Sequence, residues 1–86
     1  MPEICRFFGI VISMYYNDHD PPHFHATYAG KTAEISIKGL KILRGKFSKR
    51  GLRLVSEWGK KNQRRLMDDW DLARHGKKPL KIRPLN

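Results

Sequence analysis

The stretch His23-Phe24-His25-Ala26-Thr27-Tyr28-Ala29-Gly30-Lys31-Thr32-Ala33-Glu34-Ile35-Ser36-Ile37-Lys38 decides the fold of this chain. Apolar and polar residues alternate on either side of Gly30-Lys31, the mark of two half-buried strands joined by a tight turn. A Gly-X pair suits a two-residue type II′ hairpin. With the turn there, Tyr28 faces Ala33, Ala26 faces Ile35 and Phe24 faces Ile37, all on one side. The other side pairs Thr27 with Glu34, His25 with Ser36 and His23 with Lys38. A slip of one residue would mix the two sets, so the alternation fixes which face is apolar. His23 and His25 therefore point away from the hairpin's apolar side.

Upstream, residues 4–16 are apolar on both parities, which predicts a long central strand covered on both faces. Residues 17–22 read as a turn by composition. Downstream, residues 40–44 follow Gly39 as a third short piece of the meander. Ser48 is placed to cap a helix, and residues 48–75 keep a helical spacing. On that helix Leu52, Val55, Trp58, Gly59, Asn62, Leu66, Trp70 and Ala73 share one arc. Lys49, Arg50, Arg53, Lys60, Lys61, Arg64 and Arg65 share the adjoining one. Gly59 and Asn62 are weak helix formers and mark the place for a kink or a break. Gly76 reads as the helix stop with Pro79 beyond it, and the alternating tail, residues 80–85, fits a sheet edge. The expectation is a single α+β domain over residues 1–86, with an antiparallel sheet of three to five strands. One long C-terminal helical segment packs against that sheet.

The net charge of +10 is concentrated. Residues 38–65 carry eleven Lys/Arg against Glu57 alone, while residues 1–37 are slightly acidic. Such asymmetry predicts a polyanionic partner, nucleic acid or an acidic protein. The seven basic residues of the helical arc are the candidate phosphate contacts. Cys5 is the single cysteine, which excludes an intrachain disulfide and every multi-cysteine metal motif and fits a reducing compartment. The start Met1-Pro2-Glu3 lacks a basic region, and the apolar run over residues 7–14 is too short to span a bilayer. The expectation is a cytoplasmic protein with no membrane contact.

Three of the four histidines fall in Asp18-His19-Asp20-Pro21-Pro22-His23-Phe24-His25. On a strand, His23 and His25 project from one face about 6.5–7 Å apart. His19 lies across the Pro-Pro turn, with Asp18 or Asp20 free to orient an imidazole or to add a ligand. Two chemistries are open: acid–base work on a phosphodiester by His19, His23 and His25 with a nearby cation, or capture of a metal ion. The plain alternative is that the acids cap the turn and the rings line a polar face. His75, at the helix end, reads as structural.

Pro2, Arg6-Phe7-Phe8-Gly9-Ile10-Val11-Ile12, Met14-Tyr15, Asn17-Asp18-His19, Pro21-Pro22-His23-Phe24-His25, Leu52-Arg53-Leu54-Val55, Glu57-Trp58 and Trp70-Asp71-Leu72-Ala73-Arg74 with Gly76 together resemble a small prokaryotic family, the domain of unknown function numbered 4160. The resemblance covers nearly the whole chain, and Pro-Pro-His-Phe-His is its most specific part. Members are commonly encoded beside a second small domain, an arrangement resembling a toxin–antitoxin pair. What the resemblance implies is a class of biology and no assigned catalytic residues. Joined to the residue reading, the expectation is a toxin-like component that binds RNA rather than DNA or cleaves it as a ribonuclease needing no cofactor, and that is neutralised by an acidic partner protein. A non-catalytic nucleic-acid- or partner-binding module and a histidine metal site are the alternatives.

Overall fold

Two turns in which both central residues take positive φ organise the first half of the molecule. The computed structural model describes residues 2–85. Strand β1 (Glu3–Phe7) turns through Phe8 (φ 48) and Gly9 (φ 81) into β2 (Ile10–Ser13). Strand β3 (His23–Tyr28) turns through Ala29 (φ 52) and Gly30 (φ 78) into β4 (Lys31–Ser36). Positive φ at both central positions is the type I′ turn, whose twist matches that of the flanking strands. Strand β5 (Ile42–Gly45) completes a five-stranded antiparallel meander in the order β1-β2-β3-β4-β5.

The first turn corrects the reading of residues 4–16 as one central strand. That run is apolar on both parities because it is two strands folded on each other, each with its own buried residues. Gly9 inverts the chain, and Phe8 at the turn stays 57 % exposed. The second turn sits one residue earlier than a Gly30-Lys31 turn would. The observed partners are Phe24 with Ile35 and Ala26 with Ala33, and His25 stands opposite Glu34. Each partner has moved by two residues, so every side chain keeps its expected face.

Phe24, Ala26, Ala33, Ile35 and Ile37 are buried, together with Ile4, Phe7, Ile10 and Ile12. Helix α1 (Lys49–Lys61) covers this face. Its Trp58 ring lies 5.5 Å from Phe7 and 5.9 Å from Phe24, and its indole N–H donates to the Arg83 carbonyl at 2.9 Å. Ser48 caps α1 as expected, its hydroxyl accepting from the Gly51 N–H at 3.0 Å.

The helical segment is two helices rather than one, because α2 (Gln63–Arg74) starts afresh after Asn62. Asn62 leaves the helical region (φ −127, ψ 20), and its side-chain amide donates to the Trp58 carbonyl at 2.8 Å. Asparagine satisfies backbone groups locally, so it favours the end of a helix over its interior. The apolar arc nevertheless holds across the break: Val55, Trp58, Gly59, Leu66, Trp70 and Ala73 are all buried. Past Gly76 (φ 72) the described residues of the tail form no strand, although the Ile82 N–H reaches the Ile4 carbonyl at 2.9 Å and Ile82 and Leu85 are buried.

Candidate functional site

The loop between β2 and β3 is held at both ends. The Asn17 N–H donates to the Ala73 carbonyl of α2 (3.1 Å), and the Ile37 N–H donates to the Pro22 carbonyl (3.0 Å). Arg74 adds an exposed ion pair to Asp20 at 3.6 Å. This anchoring brings Asp18 over the start of β3, where one carboxylate oxygen meets two rings. Asp18 Oδ2 lies 2.9 Å from His23 Nε2 and 3.2 Å from His25 Nε2, and Oδ1 accepts the His19 backbone N–H at 2.8 Å.

His23 is wholly buried, with Trp70 5.2 Å away by ring centroid. Its Nδ1–H donates to the Pro21 carbonyl at 2.8 Å, an acceptor that fixes where that proton sits. His25 is 8 % exposed, under the ring of Tyr15 at 4.2 Å. His19 remains open to solvent with its Nε2 3.6 Å from Asp18 Oδ1. Glu34, opposite His25 on β4, brings Oε1 to 3.7 Å from His23 Nε2, and that buried oxygen has no hydrogen-bond partner.

Burial works to raise the Asp18 carboxyl. The hydrogen bond from His25, the His19 N–H and the charges of His23 and His19 outweigh it, so its pKa lies below the ordinary aspartate value. Asp18 is then an anion at neutral pH, and both nitrogens of His23 face acceptors.

The structure thus brings His19, His23 and His25 together, as their spacing suggested, but with unequal access. His23 is sealed, His25 nearly so, and His19 open. Glu34, Tyr15 and Trp70 complete the cluster and were not read from sequence as part of it. For Glu34 a signal existed, since the hairpin parity puts it on the histidine face. For Trp70 none did, because a helical arc does not say which strand end it meets. His75 is separate, its ring N–H donating to the Asp71 carbonyl at 2.7 Å. Cys5 is buried, and burial pushes its thiol pKa up, which leaves it a protonated packing residue.

The cationic residues form a second region. Lys49, Arg50 and Arg53 on α1, Lys60 and Lys61 at its end, and Arg64 and Arg65 on the first turn of α2 are all exposed. Among the described residues none of the seven is in an ion pair, not even with Glu57 one helical turn from Arg53 and Lys61. Five of them, all but Lys49 and Arg50, line two shallow depressions on either side of the helix break. One, of about 400 Å³, is lined by Lys61, Asn62, Arg64, Arg65 and Asp68, and the other, of about 390 Å³, by Arg53, Ser56, Glu57, Lys60 and Lys61.

Comparison with known proteins adds one match. The family model of the domain of unknown function DUF4160 matches residues 9–71, well over half of the chain. The span includes the histidine loop and most of the basic face. No curated protein and no solved structure matches the chain. The chain belongs to the DUF4160 family.

Proposed function

We propose that this DUF4160 protein is the RNA-binding component of a toxin–antitoxin-type module, holding phosphates along the face shared by α1 and the start of α2. The observation that carries the reading is the set of seven exposed cations with no carboxylate partner among the described residues. Unpaired cations on one face repel one another; the phosphates of a polyanion offset that repulsion, and release of its condensed counterions adds a salt-dependent driving force. An acidic partner protein would cover the same face and compete with RNA for it. Among the described residues no helix is long and apolar enough to cross a membrane. A cytoplasmic site of action, with the lone Cys5 thiol kept reduced, goes with this reading.

Binding is better supported than cleavage. Metal-free cleavage of RNA needs a base, an acid and a cation that all reach one phosphate. The His23 ring is buried and both its nitrogens face acceptors, so of the three rings only His19 is freely presented. Incubation of labelled single-stranded RNA with the purified protein distinguishes the two. The expected result is retention of intact RNA, unchanged in a His19→Ala variant. Cleavage that disappears in His19→Ala would restore a ribonuclease, and no retention of RNA even at low salt would overturn the proposal.

A further inference from the structure

We infer that Asp18 Oδ2, His23 Nε2 and His25 Nε2 form a binding site for one divalent transition-metal cation of the zinc class, with the Glu34 carboxylate beside it. This site is distinct from the basic face and does not depend on RNA binding.

Convergence is the first argument. The three ligand atoms come from a loop and one strand and lie within 4.8 Å of one another. Zinc bonds of about 2.0–2.1 Å at tetrahedral angles put neighbouring ligand atoms about 3.3 Å apart. The Asp18 oxygen stands 2.9 Å and 3.2 Å from the two ring nitrogens, so only small movements would seat an ion.

Orientation is the second. A metal-bound imidazole characteristically gives its other N–H to a carbonyl or carboxylate, which fixes the tautomer and leaves one lone pair for the ion. His23 has the outer half of this arrangement, with Nδ1–H on the Pro21 carbonyl; its Nε2–H, given to Asp18 at 2.9 Å, would leave as a proton to water when an ion takes its place.

Charge is the third. One carboxylate and two neutral imidazoles leave a divalent cation with one positive charge in excess, which a second carboxylate nearby offsets in a buried site. The Glu34 oxygen, buried and unpartnered 3.7 Å from His23 Nε2, is placed to supply that charge; its own convergence within 4.8 Å is with His23 and His19, a second grouping that the His19→Ala variant separates from the first. Neighbouring charges do not take up that oxygen. Arg44 faces Glu34 in the β4–β5 register without an ion pair, Arg74 is engaged with Asp20, and His19 sits at the other Asp18 oxygen. The donor set, imidazole and carboxylate without thiolate, suits Zn²⁺ or its first-row neighbours rather than Ca²⁺ or Mg²⁺, which prefer all-oxygen shells.

The test uses the full chain without an affinity tag, cleared of metal with EDTA and titrated with Zn²⁺ by calorimetry and with Co²⁺ by visible absorption. The expected result is one equivalent of metal bound, a higher melting temperature with Zn²⁺, and a Co²⁺ spectrum of low coordination number. Glu34→Gln, which keeps the side-chain shape, should fold and bind Zn²⁺ about 10- to 100-fold more weakly. His25→Ala should lose the site, while His19→Ala and His75→Ala should bind as wild type does. No metal uptake by the wild-type chain would overturn the inference. So would uptake that survives both Glu34→Gln and His25→Ala unchanged, or that disappears with His19 or His75.

Discussion

Asp69 is the residue at which burial and charge conflict most plainly. It is 2 % exposed; one oxygen accepts the Leu80 N–H at 2.9 Å and the other has no partner. Burial pushes its carboxyl pKa above the ordinary 3.8; the Leu80 N–H works against this, and the neighbouring charge of Asp68 adds to it. A carboxyl raised by folding contributes its stability while protonated and loses it as the pH climbs past the unfolded value through the folded one. Asp69→Asn keeps an acceptor for Leu80 and cannot ionise. It should melt above wild type at neutral pH, with the gap closing as the pH falls toward 3.8. A variant that melts below wild type at neutral pH would contradict this. The histidine cluster was legible at the same scale only in part. Its composition and parity could be read from the chain, but the burial of His23 could not. Burial there depends on Trp70, forty-seven positions away, and on a loop tied to the end of α2.

Among the elements, the β3–β4 hairpin was readable because its alternation survives a two-residue change of partner. The β1–β2 hairpin was not, since Phe8-Gly9 interrupts a run apolar on both parities and only the fold shows where the chain reverses. The division at Asn62 was visible as a place for a kink or break, but the apolar arc that carries straight across it favoured one long helix. Two substitutions test these devices. Ser48→Ala removes the oxygen that accepts the Gly51 N–H and should cost about 1 kcal/mol in denaturant unfolding. Gly45→Ala meets a harder obstacle. Gly45 has φ 86, and a Cβ there would overlap the Thr32 carbonyl oxygen and stand 3.0 Å from Ala33 Cα. The predicted loss is at least about 2 kcal/mol, centred on the β4–β5 pairing and readable as faster amide exchange in β5. Wild-type stability in either variant would show that the corresponding contact carries nothing.

For the whole molecule, the two candidate regions meet α2 differently. The histidine loop docks on its C-terminal end through Ala73, Arg74 and Trp70, whereas Arg64 and Arg65 stand on its first turn and continue the basic face of α1. Changes to one region should therefore leave the other intact, so Glu34→Gln should bind RNA like wild type. The central claim is that the basic helical face holds a polyanion, and counterion release gives it a number. Each phosphate contact on a single strand contributes about 0.7 to the slope of log affinity against log salt. The most direct measurement is that slope for fluorescent single-stranded RNA, in wild type and in a Lys60→Ala/Lys61→Ala/Arg64→Ala/Arg65→Ala variant. A steep wild-type slope, made shallower by about 2–3 in the variant, is the predicted result. Equal slopes in the two proteins, or no binding by wild type at low salt, would contradict it.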